Sequence, residues 1–148
     1  MDRRKFIGAA ASAALLVPAA AVAAAPQTAV SQAVGGPDSA LFDAWARRVE
    51  ANRMINSGTL GASDKAAQPY WDIITECDKL IHSTVAKTPR GIEVQIWTSL
   101  HNSSAYLLDE EAAILAMDLD YVHAHAKDFD WDAMPMIAAL RSLRALGA

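Results

Sequence analysis

The side chains best suited to chemistry gather near the C-terminus, where Asp118, Asp120, His123, His125, Asp128, Asp130 and Asp132 follow one another closely. Carboxylates and imidazoles at such density suggest a cation site first. Asp128, Asp130 and Asp132 have the opening spacing of an EF-hand calcium loop. The sixth position is Ala133, where the sharp turn needs Gly, and the twelfth is Ala139, where a bidentate Glu is needed, so that motif fails. A transition metal is the second option: Asp120 and His123 share one face of a helix, as do Tyr121 and His125. His123 and His125 themselves point apart. Solvated acids at a helix end, with surface histidines, account for the same residues. The candidate ligands are therefore Asp120, His123, His125, Asp128, Asp130 and Asp132.

Other chemistries find less. A di-iron bundle needs Glu-x-x-His on two helices and a haem attachment needs Cys-x-x-Cys-His; neither string occurs. No Gly-x-Ser-x-Gly elbow places a serine nucleophile, and His82, His101, Ser99 and Ser103 read as polar helix faces. Asp78 and His82, four apart, form an ordinary helical pair. The sequence thus names no catalytic residue and calls for no cofactor. The lone cysteine, Cys77, cannot form an internal disulfide. With Tyr70, Ile73, Ile74, Leu80 and Ile81 on the same helical face, it reads as a small buried hydrophobe rather than a reactive thiol.

Trp45, Trp71, Trp97 and Trp131 fall one to each segment. Trp71 sits beside Tyr70, so one of the two must turn outward, and Trp131 stands in the acidic stretch outside any apolar stripe. Core packing accounts for rings of this kind. Tyr70, Trp71 and Trp131 are nevertheless the candidate interaction aromatics, because exposed rings dominate interface energetics.

The elements that must position these groups are helical. Asp38 stands as an N-cap before Leu41, Phe42, Trp45 and Val49, which recur at three- and four-residue spacing up to about Asn56. After Gly58 and Gly61, Ser63 or Asp64 caps a second helix carrying the Tyr70-to-Val85 stripe, with Pro69 in its first turns. Thr88-Pro89 opens a third helix with Ile92, Ile96, Trp97 and Leu100. A fourth starts between Ser103 and Asp109, or continues the third with a kink; it carries Glu110 and Glu111 near its positive end and shows Ile114, Leu115, Leu119 and Val122 on one face. The stretch from Asp128 to Asp132 is a loop, and Met136, Ile137, Leu140 and Leu143 make a last helix closed by Gly147. No strand alternation of useful length occurs. The expectation is an all-α bundle of four or five helices in one domain, residues 38–148.

The remainder reads as a leader. Asp2-Arg3-Arg4-Lys5-Phe6-Ile7-Gly8 resembles a twin-arginine (Tat) signal at Arg3, Arg4 and Phe6, and an Ala-rich stretch with Pro18 follows. Small residues close that stretch, which predicts a cleavable signal over residues 1–24 rather than a stable membrane span. Residues 25–37, with Gly35-Gly36-Pro37, form a tether. The chain has 13 Lys plus Arg against 17 Asp plus Glu, and without the leader the balance is about −6. This argues against nucleic acid and against an anionic membrane surface as partners.

Together with Trp45, Trp71-Asp72-Ile73 and Thr88-Pro89-Arg90-Gly91-Ile92, the Tat-like start resembles small, uncharacterised twin-arginine signal proteins of alphaproteobacteria and their prophages. The resemblance implies passage through the Tat export machinery to the periplasm or the medium, and it brings no activity with it. The functional expectation is a non-enzymatic exported helical module that binds a protein or small-ligand partner, a second copy of the chain included. The alternative is a periplasmic metal- or small-ligand-binding protein using the region from His123 to Asp132.

If the arginine pair governs export, changing Arg3 and Arg4 together to Lys leaves precursor in the cytoplasm, as read by fractionation and intact mass. Undiminished export of the double variant rejects the Tat route.

Overall fold

Hydrophobic spacing decides which residues can form helices, and the partners available to each helix's first N–H groups decide where the helices begin. The computed structural model describes residues 35–60, 64–103 and 107–147, all within the compact unit Ser31–Ala148. The signal residues Arg3, Arg4 and Phe6, the tether before Gly35, and Ser63 lie outside the described residues. Among the described residues there are six α-helices and no strand: α1 Ser39–Asn56, α2 Asp64–Ser83, α3 Pro89–Ser103, α4 Leu108–Leu115, α5 Leu119–Ala124 and α6 Ala133–Ala145, with a 3₁₀ turn at Ala126–Asp128. The described part of the protein is all-α, with one or two more helices than the spacing predicts.

The extra helix comes from a break in the expected fourth one. Met117 takes a left-handed φ of 55°, and the Asp118 carboxylate accepts the Tyr121 N–H at 3.0 Å, which starts α5 as a new helix. From α6, Arg144 donates through Nη2 to the Met117 carbonyl at 3.0 Å, which fixes the corner. Ile114, Leu119 and Val122 still face one core across the break. The apolar spacing therefore continues through a point where the backbone does not.

The α3 helix is the central strut: it packs against α1, α2, α4 and α6, while α1 also lies along α2. Val94, Trp97 and Leu100 of α3 are wholly enclosed, meeting Leu41 from α1, Ile81 from α2 and Leu140 from α6. Cys77 is buried in the same cluster, as its helical spacing predicts, and burial holds its thiol above the usual range and out of the reactive thiolate form. A second tie joins α3 to α6: buried Glu93 pairs with Arg90 one turn before it, and with Arg144 Nε at 3.4 Å.

Asp38 departs from its expected role. It stands at the cap position of α1, but its side chain makes no bond there. The carboxylate crosses to the start of α3, where it accepts the Lys87 N–H at 2.9 Å, the Thr88 N–H at 2.8 Å and the Thr88 hydroxyl at 2.5 Å. The Thr88 Oγ1 in turn accepts the Gly91 N–H at 3.0 Å, with Pro89 at the first helical position. Three orphan donors and a positive helix end offer more to an anion than the start of its own helix does. The approach is so close that a Cβ on Gly91 would lie 2.3 Å from Asp38 Oδ2. The Thr88 hydroxyl, followed by the two backbone N–H groups, holds the Asp38 carboxyl below its ordinary value of about 3.8 against the opposing effect of burial.

A carboxylate with a lowered folded pKa contributes stability that is fully present above the unfolded value and is lost as pH falls through the folded one. Asp38→Asn is therefore expected to melt lower than wild type at neutral pH and to lose less on acidification below about pH 4. Gly91→Ala, which drives the carboxylate off its donors, lowers the melting temperature at neutral pH as well. Thermal melts across pH check both, and an acid limb in Asp38→Asn identical to wild type removes the assignment.

Candidate functional site

A charged side chain on the apolar stripe of a helix must bring its own partners inside. Arg48 is such a residue: it lies seven positions after Leu41 and three after Trp45, and it is 0% exposed. Its Nε donates to Asp78 Oδ1 of α2 at 2.6 Å. Its Nη2 donates to Asn102 Oδ1 of α3 at 2.6 Å and meets His101 Nδ1 at 3.0 Å. The guanidinium also lies over the Trp45 ring, 5.7 Å from its centroid. Asn102 closes a ring of contacts by donating to Asp78 Oδ2 at 2.9 Å. On the far side of the imidazole, His101 Nε2 meets Glu111 Oε1 of α4 at 3.3 Å, and Asn56 at the end of α1 donates to Glu111 Oε2 at 3.0 Å. One polar seam thereby joins four helices.

The seam has a definite protonation pattern. A guanidinium only donates, so His101 Nδ1 accepts and the ring proton sits on Nε2, facing the Glu111 carboxylate. Burial first, and then the Arg48 charge, push the His101 pKa down from its ordinary 6.5, with Glu111 and Asn102 acting in the opposite direction. The neutral imidazole is thus a relay of hydrogen bonds between a cation and an anion. Its chemical capacity is to hold α1 and α4 on α3 and to respond to protons.

The seam corrects two expectations. His101 is buried rather than set on a polar face, because it follows Trp97 by four residues and Val94 by seven on the enclosed side of α3. Asp78 bonds Arg48 and Asn102 rather than His82, which is left exposed on α2. Both follow from Arg48, whose fixed fork of donors recruits a carboxylate more strongly than an imidazole one turn away can. The sequence signal for the seam was an arginine on the α1 stripe, opposite helices that each carry one polar residue in phase with their apolar ones.

The acidic and histidine residues near the C-terminus are placed apart. Asp118 caps α5, and Asp120 and His123 are exposed on it. His125 stacks on Tyr121, with ring centroids 4.1 Å apart and 18° between planes, and donates through Nδ1 to the Tyr121 carbonyl at 2.9 Å. The two residues that share a helical face are therefore bound to each other. Asp128 ends the 3₁₀ turn, Asp130 is exposed, and Asp132 stands half-buried at the start of α6. Among the described residues no three His, Cys, Asp or Glu side chains gather as a group able to hold a metal ion. Of the candidate aromatics, Tyr70 is half-buried, while Trp71 is 48% and Trp131 85% exposed. No family model, curated protein or solved structure matches the chain.

Replacing both His123 and His125 by Gln is expected to cost about 0.5–1.5 kcal/mol, from the hydrogen bond and stacking His125 makes with Tyr121, while exposed His123 adds little. Added zinc or calcium should leave the melting temperature of wild type unchanged. A metal-dependent rise that disappears in the double variant would establish a metal site in this region.

Proposed function

We propose that the protein is an exported, non-enzymatic helical module, periplasmic or secreted, that binds a partner through its exposed aromatic side chains. The observation that carries this reading is the exposure of Trp131 and Trp71. Each indole offers roughly 150–250 Å² of apolar surface, whose full burial is worth about 4–6 kcal/mol at ~25 cal/mol per Å². Trp131 keeps most of that energy available for association, and Trp71, 48% exposed, about half of it. Trp131 is followed by Met134, also exposed, at the start of α6. The ionisable groups of the interior, by contrast, are bonded to one another: Arg48 to Asp78, Glu93 to Arg90 and Arg144, and Asp38 to the start of α3. Export rests on the twin-arginine resemblance, and among the described residues no helix is long and apolar enough to cross a membrane. The rival reading, a metal- or small-ligand-binding protein using the region from His123 to Asp132, stands or falls with the metal titration of His123 and His125.

A photo-crosslinking residue placed at Asp72 or Asp130, each beside a tryptophan, is expected to trap a discrete adduct in the native host, and one at exposed Ala138 on α6 is not. Trp71→Ala or Trp131→Ala should abolish the adduct at its own site. An adduct of twice the chain mass identifies the partner as a second copy. No adduct at either site, or the same adducts at Ala138, refutes the proposal.

A further inference from the structure

In the polar seam, one group makes bonds that depend on its own protonation. His101 is 8% exposed, with Nδ1 3.0 Å from Arg48 Nη2 and Nε2 3.3 Å from Glu111 Oε1. We infer that His101 is a proton-operated latch: neutral, it binds α1 to α3 through Arg48, and on gaining a proton it releases Arg48 and loosens that contact in acid.

The acceptor lone pair that receives the Arg48 N–H is the site the proton takes. Once it is occupied, two N–H donors and two positive charges face each other across the same 3.0 Å gap. The groups around the imidazole come from every helix of the seam. Arg48 of α1 opposes the proton. Glu111 of α4 favours it and keeps its own bond to Nε2 in both states. Asp78 of α2 reaches the ring only through Arg48 and Asn102, and Asn102 belongs to α3 itself. Burial and Arg48 outweigh Glu111, so the ring takes its proton below the ordinary 6.5.

What opens is specific. Arg48 Nε stays with Asp78 at 2.6 Å, so α1 remains tied to α2, and His101 stays with Glu111, so α3 remains tied to α4. The released bond lies between those two pairs, leaving the exposed Asn102 as the link of the seam between Arg48 and α3. A histidine whose folded pKa is lowered is protonated first in the unfolded chain. Stability is therefore level above about pH 6.5, falls as pH drops below it, and levels off below the folded pKa.

The test uses the full chain at about pH 7.5 and about pH 5, the range in which histidine charge changes. Wild type is expected to lose melting temperature on acidification, and hydrogen-exchange protection over residues 45–52, corrected for the intrinsic exchange rate at each pH, should fall by up to about tenfold per pH unit between the two pKa values. His101→Gln presents an acceptor to Arg48 and a donor to Glu111 but does not titrate. It should lose most of the pH dependence, whereas His82→Gln, which changes an exposed histidine, should keep it. If His101→Gln shows the wild-type acid loss, the latch is rejected. Should His101→Gln not fold, nitrogen chemical shifts of wild-type His101 decide. An Nε2–H tautomer with a midpoint below 6.5 supports the latch, and an Nδ1–H tautomer or a midpoint at or above 6.5 overturns it.

Discussion

The fold depends on where Arg48 can keep its charge. A fully enclosed guanidinium cannot lose its proton, so it must be met by an anion and by directed acceptors or it would not be buried at all. Asp78, Asn102 and His101 meet that requirement from two different helices, and Glu111 extends it to a third. The helix positions follow from it: α1 must lie where α2 and α3 each present their polar residue. Net stabilisation from such a cluster is small, because desolvating the charges offsets their attraction. Removing one member while leaving the others is what costs, typically about 3–5 kcal/mol. The seam therefore acts on which packing is adopted more than on how stable it is. A one-turn slide of α1 along α2 would bring Trp45 or Asn52 to the position of Arg48 and leave Asp78 without its cation.

The same logic governs the other end of α3. Helix starts are most simply capped from within, and α3 is, through Thr88 Oγ1 and the Gly91 N–H; Asp38 at the beginning of α1 then holds that capping residue by its hydroxyl and its N–H. An anion from a distant element thereby ties the start of α1 to the residue that caps α3. With Glu93 tying α3 to Arg144 of α6, and Arg144 holding the Met117 corner, polar contacts fix α3 at its start, along its middle and at its far end. The apolar core fills the space those contacts define.

Much of this was legible in the sequence, because helix starts and apolar stripes are local properties. The apolar spacing of α1, the Thr88-Pro89 start of α3, the burial of Cys77, the irregular stretch between α5 and α6 and the helical class of the described residues follow from local signals alone. The misses share one cause. Asp38 looked like a local cap, Asp78 looked like a partner for His82, and His101 looked like a surface group. Each has a local role on offer, a cap, a pair one turn away or a polar face, whereas its actual partner is a residue of another element. The break at Met117 was hidden for the complementary reason: Ile114, Leu119 and Val122 keep helical spacing even though the backbone turns between them. Local patterns report faces, whereas polar pairing across helices is decided by the packing those faces produce.

The distribution of side chains departs from a simple oil-drop picture at particular positions. Asp38, Arg48, Glu93, His101 and Glu110 are inside, while Trp71, Val85, Leu107, Leu108 and Trp131 are largely outside. Interior charge is tolerated here because each group meets a bonded partner: Glu110, for example, accepts the Leu107 N–H at 2.6 Å at the start of α4. Exposed apolar groups have no such compensation within the chain, since water gains nothing by solvating them. The ionisable residues of the seam and the caps are engaged in holding helices together, so capacity for association lies with the rings and aliphatic side chains that the helices leave uncovered. The two sets are linked through α2, where Trp71 precedes Asp78 by seven residues and so stands on the same helical face, two turns away.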